Sequence, residues 1–246
     1  MENLFAKEYT ILPGSCDSSG ALGVPDTFAL FMDIASEHAE ALGCGAGALL
    51  SRGLFWLTVR TRVRFFRRPK LTERVTARTW PEPPHRLRAD RCYRLEAGTE
   101  LLAAGKTEWA VLDTQSGRLR PAAEVFPSEL SFYPESVWDE PFTRLTDEAL
   151  EPFAAYTVRS TDIDLGGHMN NAAYVRMLAG AFSCADWQAL DIHELEIAFR
   201  APCYEGEELR LEKKTDGSTI LLRAARPDGK AAVLARILTG ETEAIP

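Results

Sequence analysis

The sequence predicts an α+β fold that is built twice in tandem, each time as one long helix followed by antiparallel strands. The first observation behind this prediction is an internal repeat. Tyr9-Thr10-Ile11 matches Tyr156-Thr157-Val158 at an offset of 147 residues, and Asp17 matches Asp164 at the same offset. The second observation is that a turn of small residues follows each aspartate, and a helical pattern follows each turn.

The order of helices and strands is the same in both halves. Apolar residues at helical spacing predict a first helix from Thr27 to Leu42 that stops at Gly43. A second helix is predicted from about Ala172 to Ala185, with an asparagine as its N-cap. The predicted strands cover 57–65, 74–80, 86–95 and 101–112 in the first half, and 195–199, 208–213, 219–224 and 231–238 in the second.

Domain boundaries follow from the same pattern. The segment between Pro121 and Pro152 lacks a clean period and holds five prolines among acidic residues, which is typical of a linker. We therefore expect an N-terminal unit at residues 1–121, a linker at 122–152 and a C-terminal unit at 153–246.

Composition excludes several classes of protein. No apolar run approaches the roughly 18 to 20 residues of a membrane span, so no membrane insertion is expected. The N-terminus has neither the basic flank nor the apolar core of a secretory signal, and five scattered cysteines do not suggest a disulfide framework. We expect a cytoplasmic protein. The sequence has no His, Cys or Asp cluster with metal-ligand spacing and no glycine-rich phosphate loop, so no metal or cofactor is expected. It also lacks a Gly-x-Ser-x-Gly elbow, which argues against an α/β-hydrolase.

Charge is distributed unevenly along the chain. The net charge is −8, yet the stretch from Arg60 to Arg94 holds twelve Lys or Arg against three Asp or Glu. Such a local positive field suits an anionic partner or a phosphate-bearing substrate. Alternatively it is a solvated sheet face, because Arg60, Arg62 and Arg64 alternate with Val59, Thr61, Val63 and Phe65. A nucleic acid partner is not expected, since the remaining acidic surface would repel a polyanion.

Chemistry-bearing residues concentrate in the segment 162–171, Asp-Ile-Asp-Leu-Gly-Gly-His-Met-Asn-Asn. His168 is one of four histidines and directly precedes the start of the second helix, where backbone N–H groups favour developing negative charge. This arrangement can polarise a carbonyl and activate water. The alternative interpretation is a turn rich in Asp and Asn with a hydrogen-bonded histidine.

The duplicated helix-and-sheet pattern resembles the double hotdog fold, and the chain resembles the acyl-ACP thioesterases of plants and bacteria. The segment 162–171 is similar to that family's D-x-D-x-N-x-H-x-N-N pattern. Several first-half motifs also match the family in kind and order: Ile34-Ala35-Ser36-Glu37-His38-Ala39, Gly53-Leu54-Phe55-Trp56-Leu57, Thr79-Trp80-Pro81, Trp109 and Leu112-Asp113.

The resemblance implies hydrolysis of a fatty acyl thioester without a cofactor. His168 would act on water or on the carbonyl, and Asp164 would orient the histidine or its neighbours. Asn170 and Asn171 would lie at the substrate as structural caps. The first half would hold the acyl chain, with Phe31 and Trp56 among the candidate pocket residues. The positive stretch, represented by Arg60, Arg62 and Arg64, would steer acidic acyl carrier protein (ACP) and its phosphopantetheine arm.

Two departures from the family pattern leave alternatives open. Gly166 stands where the family has a side-chain amide, and Pro202 stands where it commonly has a catalytic glutamate. Cys203 matches a cysteine of plant members and is a candidate nucleophile, although strand alternation also predicts that it is a core residue. An acyl-CoA thioesterase and a non-catalytic acyl-thioester-binding protein are therefore alternative functions. A monomer or a homodimer is expected, since the tandem repeat already contains the pairing of two hotdogs.

Overall fold

The structure, a computed structural model, describes residues 3–240, so the predicted ends at 1–2 and 241–246 lie outside the described residues. The first half contains β1 (Phe5–Thr10), α1 (Val24–Ala41), α2 (Ala46–Leu50), β2 (Leu54–Phe65), β3 (Arg74–Pro81), β4 (Ala89–Ala97), β5 (Glu100–Asp113) and β6 (Leu119–Arg120). The second half contains β7 (Glu151–Thr157), α3 (Asn171–Gly180), α4 (Cys184–Ala189), β8 (Ile192–Phe199), β9 (Glu208–Asp216), β10 (Thr219–Ala225) and β11 (Ala231–Thr239).

All strands belong to one antiparallel sheet. The strand order is β1-β3-β4-β5-β2-β8-β11-β10-β9-β7, and β6 pairs with β5. The two halves meet where β2 pairs with β8, in a register that places Val63 opposite Leu195. Both of these side chains are fully buried. The predicted tandem α+β architecture is confirmed, and the join between the halves is made by backbone hydrogen bonds of the sheet.

The two long helices pack against each other and against one face of the sheet. Helix α1 begins three residues before its predicted start, because Pro25 supplies the first-turn φ angle that a helix needs. The predicted end of the second helix at Ala185 is wrong. Helix α3 ends at Gly180, and the Ser183 hydroxyl accepts a hydrogen bond from Asp186 N to cap a new helix, α4.

The repeat seen in the sequence is a structural repeat of one loop. In the first half, Asp17 N donates to Ala21 O (2.9 Å) and Gly20 N to Asp17 O (3.0 Å). In the second half, at the offset of 147, Asp164 N donates to His168 O and Gly167 N to Asp164 O, each at 3.0 Å. Each turn contains a glycine of positive φ, Gly20 in the first half and Gly167 in the second. The residue that follows this glycine is alanine in the first half and histidine in the second.

The outer face of the sheet does not present the predicted free arginine surface. Arg62 is 3% exposed and forms a 2.8 Å ion pair with Glu196, which lies directly opposite on β8. Arg64 pairs with Glu194 at 2.7 Å, and Arg60 pairs with Glu108 at 2.9 Å.

Residues of the 125–150 segment cover this row of arginines. Trp138 lies 4.8 Å from the Arg64 guanidinium, and Phe142 lies 4.7 Å from that of Arg60. The prediction of an ACP-docking role is therefore wrong for Arg62, which is buried. Arg60 and Arg64 are only partly exposed, and their charges already have carboxylate partners.

Candidate active site

The segment singled out in the sequence forms a tight loop that ends at the start of α3. Asp164 Oδ1 accepts a 2.8 Å hydrogen bond from Gly166 N, a side-chain bond that fixes the first corner of the turn. Gly167 adopts φ of +76°, a conformation that glycine takes without steric cost. The chain then returns through His168 to Met169, whose N–H donates to Cys203 O at 2.8 Å.

The structure places His168 and Asp164 side by side, as the sequence predicts, and both are partly accessible. Their closest approach is 3.9 Å, between His168 Nδ1 and Asp164 Oδ1, which is too long for a direct hydrogen bond. Instead, His168 Nδ1 lies 3.4 Å from its neighbour's carbonyl, Met169 O, and the ring meets Phe55 edge-on. Asp164 thus holds the loop together and adds negative charge beside the imidazole.

The occurrence of glycine at position 166 has a steric explanation in this loop. A Cβ atom at this position would lie 3.0 Å from Asp164 Oδ1 and 3.1 Å from His168 Nε2. The equivalent position in the first half is Ser19, where the neighbour is Ala21 and not histidine. The side-chain amide that the family has at this position is therefore missing at the place where the His168 ring lies directly over the backbone of Gly166.

The asparagine pair fixes the start of α3. Asn170 is the N-cap, and its Oδ1 accepts a 2.8 Å hydrogen bond from Ala172 N. Asn171 Nδ2 donates to Thr58 Oγ1 at 2.7 Å, so the second half is tied to strand β2 of the first. Thr58 was not predicted as a site residue. It is 113 residues from Asn171 in the sequence, and only the contact between the two halves brings the two side chains together.

A cavity of about 260 Å³ opens at this loop and extends under α1. Trp56 is part of its wall, as predicted, and is held by a 2.8 Å hydrogen bond from its Nε1 to Cys44 O. The cavity is lined by residues of both halves: Met32, Ala35, Ser36, Ala39, Glu40, Cys44, Gly45, Ala46, Phe55, Trp56, Leu57, Thr58, Pro81, Ala89, Asp90, Arg91, Trp109, Phe126, Asp164, Leu165, His168, Asn170 and Asn171. Asp164 and His168 of the second half thus face a largely apolar cavity lined mainly by the first half.

Phe31 does not belong to this wall. Its ring is fully buried and stacks on Tyr93 with ring centroids 4.8 Å apart. A Cβ added at Gly105 would lie 2.8 Å from the same ring, so Phe31 fills the core against a glycine of β5. The helical period that marks Phe31 as inward-facing cannot separate a core position from a pocket position.

Cys203 is also absent from the cavity wall. It is fully buried in the apolar core, and burial raises the pKa of its thiol. A nucleophilic cysteine needs a lowered pKa and access to substrate. The prediction of Cys203 as a nucleophile is therefore wrong, and the core interpretation of its strand position is correct. Pro202, its neighbour, is exposed.

Neither a metal centre nor a membrane span is found in the described part of the chain. Residues 3–240 contain no group of three or more His, Cys, Asp or Glu side chains that could hold a metal ion. None of the helices in that range is long and apolar enough to cross a membrane.

The fold and the cavity define a double hotdog protein. The acyl-ACP thioesterase N-terminal domain matches residues 2–129, and the acyl-ACP thioesterase C-terminal domain matches residues 146–238. The chain belongs to the acyl-ACP thioesterase family.

Solved structures show the same architecture over the whole chain. An acyl-ACP thioesterase from Bacteroides thetaiotaomicron has a TM-score of 0.89 at 19% identity, covering 97% of this chain and 98% of that chain. The 12:0-ACP thioesterase from Umbellularia californica has a TM-score of 0.81 at 17% identity, covering 98% and 99%. The predicted double hotdog fold is confirmed.

Curated relatives are also distant in sequence, and they are longer than this chain. The chloroplastic oleoyl-ACP thioesterase of Coriandrum sativum is 21% identical over 227 residues, which cover 82% of this chain and 61% of that protein. The chloroplastic oleoyl-ACP thioesterase 2 of Arabidopsis thaliana is 24% identical over 204 residues, which cover 72% and 54%. The chain therefore spans little more than half the length of these relatives.

Proposed function

We propose that this protein hydrolyses the thioester of fatty acyl-ACP and releases free fatty acid and ACP. The observation that supports this most directly is the placement of His168 in the wall of a largely apolar cavity whose lining comes mainly from the other half. An acyl chain bound under α1 would place its thioester at the loop that carries Asp164 and His168. Family membership and the names of the relatives point to the same substrate.

In the proposed reaction, His168 takes a proton from water as the water oxygen attacks the thioester carbonyl carbon. The C–S bond then breaks, and the proton passes from His168 to the leaving sulfur. Asp164 beside the ring stabilises the positive imidazolium that forms between these two steps.

The start of α3 supplies the oxyanion site in this proposal. Asn170 already engages the amides of Ala172, Ala173 and Tyr174, either through its side chain or through its carbonyl. The amide of Asn171 is the first-turn N–H that Asn170 does not engage, and Asn171 is one of the residues that line the cavity. A backbone donor at a helix N-terminus stabilises developing negative charge on the carbonyl oxygen.

The decisive experiment measures turnover of a panel of acyl-ACPs by the wild type and by His168→Ala, with free fatty acid read by mass spectrometry. We expect a loss of about a hundredfold or more in kcat. His85→Ala is the matched control, because His85 lies in an exposed turn outside the cavity. Unchanged turnover by His168→Ala would contradict the proposed role of His168.

The alternatives are separated by the same assay. Faster turnover of acyl-CoA than of acyl-ACP with an equal chain would favour an acyl-CoA thioesterase. Tight acyl-ACP binding without product would favour the binding protein, which the missing polar groups at Gly166 and Pro202 motivate. The cytoplasmic location and the oligomeric state stay predictions.

A further inference from the structure

A buried arginine that pairs with no carboxylate of the described residues forms part of the cavity wall. Arg91 of β4 lines the cavity and is 6% exposed. Its Nη1 lies 3.0 Å from His38 Nδ1 and donates to Thr79 Oγ1 at 3.2 Å. Within residues 3–240, no carboxylate forms an ion pair with Arg91, in contrast to the paired arginines Arg62 and Arg64 of the outer face.

A buried guanidinium with no carboxylate partner among residues 3–240 is costly to the free protein. Burial lowers the pKa of Arg91, because the charged form is separated from water. A guanidinium nevertheless stays protonated in proteins and offers five N–H donors in a fixed planar fork. Both hydrogen-bonding contacts in the described part of the chain involve Nη1 alone, so Nε and Nη2 remain for a ligand.

The surroundings of Arg91 are polar where an acyl pocket would be expected to be apolar. Thr107, which lies directly opposite Arg91 on β5, is fully buried. Its hydroxyl forms a 3.0 Å hydrogen bond with the hydroxyl of Thr61 on the next strand, β2. The Tyr93 hydroxyl and the Trp109 indole nitrogen are buried neighbours, and neither makes a well-formed hydrogen bond among the described residues. Trp109 also lines the cavity. Two buried polar groups without a well-formed hydrogen bond among the described residues therefore lie near Arg91.

Strand order places Arg91 two strands away from the residue that holds the start of α3. Thr58, which holds Asn171, lies on β2, and Arg91 lies two strands away on β4. Two strand spacings amount to about 10 Å. The thioester and the guanidinium would therefore contact different ends of one bound chain.

We propose that the cavity selects acyl chains that carry a carboxylate at their distal end, and that Arg91 binds this carboxylate. The proposal rests on the proposed function, since it assumes that the thioester lies at His168. A bidentate guanidinium–carboxylate pair would use the Nε and Nη2 donors of Arg91 and would neutralise the buried charge. Three carboxylates also line the cavity, but Asp164 lies in the reacting loop, Glu40 faces the amide of Gly47 at 3.4 Å, and Asp90 is on the opposite face of β4.

Binding is measured first, by calorimetry on the full chain with acyl-pantetheine analogues whose thioester is replaced by a thioether. Three analogues of equal length end in a methyl, a hydroxyl or a carboxylate group. We expect the carboxylate analogue to bind at least about tenfold more tightly than the methyl analogue. Equal or tighter binding of the methyl analogue would overturn the proposal, and so would equal binding of the hydroxyl analogue.

Variants then assign the preference to one side chain. Arg91→Met should abolish the preference for carboxylate, and Arg91→Lys should retain part of it. Arg88→Met is the matched control, because Arg88 lies on the outer side and pairs with Glu108. Circular dichroism checks that each variant folds; if Arg91→Met does not fold, Arg91→Lys and the three-analogue comparison on the wild type decide. An unchanged preference in a folded Arg91→Met would overturn the proposal.

Hydrolysis of the matching acyl-ACPs separates this proposal from the proposed function. Tight binding of the carboxylate analogue without hydrolysis of any acyl-ACP would leave the Arg91 site standing and contradict the thioesterase. Hydrolysis of methyl-terminated chains in preference to carboxylate-terminated chains would support the thioesterase and overturn the role of Arg91.

Discussion

Asn171 of helix α3 and Thr58 of strand β2 form a 2.7 Å side-chain hydrogen bond that crosses between the two halves at the wall of the cavity. Thr58 is 4% exposed, so removing either partner leaves the other with a poorly hydrated polar group. This bond joins the start of α3, and with it the proposed oxyanion site, directly to a residue of the cavity wall.

The first prediction concerns this bond. Asn171→Ala and Thr58→Val should each lower the free energy of unfolding by about 1–2 kcal/mol and lower kcat, because the α3 N-terminus loses its support from β2. The measurements are urea unfolding and acyl-ACP turnover. In the double variant the losses should be smaller than their sum by about 1 kcal/mol, and simple additivity would show that the bond is not formed in solution.

The second prediction concerns Gly166. Gly166→Ala should displace the His168 ring by a few tenths of an ångström, because the new Cβ would lie 3.1 Å from Nε2. We expect kcat to fall by about three- to tenfold, since small misplacements of a catalytic group are costly. Gly180→Ala at the end of α3 is the control, because a Cβ there meets open space. Equal effects of both substitutions on kcat would argue against steric control of His168.

The third prediction concerns the buried pair between Arg62 and Glu196. Glu196→Ala should lower the free energy of unfolding by about 3 kcal/mol, because it removes the closest carboxylate of a buried guanidinium and leaves only Glu140 and Glu194, at 3.8 and 3.9 Å. Arg62→Met combined with Glu196→Leu should be much less destabilising, which a double-mutant cycle in urea would measure. If Arg62 acted in ACP docking instead, Arg62→Met would raise KM for acyl-ACP in a salt-dependent way and leave stability unchanged.

The fourth prediction concerns the pH dependence of stability through Asp90. Burial first, and then the nearby Glu108 and Glu82 carboxylates, raise the pKa of Asp90 to about 6. The native state therefore binds a proton that the unfolded chain has already released between pH 4 and 6, so stability falls as pH rises through this window. Asp90→Asn should remove a penalty of about 1–2 kcal/mol above pH 6 and change little below pH 4.

Urea unfolding at several pH values tests this. Asp228→Asn is the control, because Asp228 lies exposed in the turn before β11. A benefit of Asp90→Asn that is equal at pH 4 and pH 7 would contradict titration of Asp90 as its cause.

Local patterns in the sequence determined the repeated elements of this protein and the position of its reactive loop. The aspartate, the glycine of positive φ and the helix cap that build the loop are all encoded within ten residues, so Asp164, His168 and Asn170 were predictable together. Their backbone hydrogen bonds are local, and local bonds depend little on the rest of the chain.

Only the tertiary structure decided which inward-facing residues line a cavity, which fill the core, and which charges are neutralised. Phe31 and Trp56 have similar apolar character in the sequence, yet one packs against Gly105 and the other borders the cavity. Arg62 and Arg91 belong to the same basic stretch, yet β8 brings Glu196 to the first and no carboxylate of the described residues pairs with the second. The physical reason is that burial and ion pairing depend on strands far apart in the chain, whose register is fixed only when the whole sheet forms.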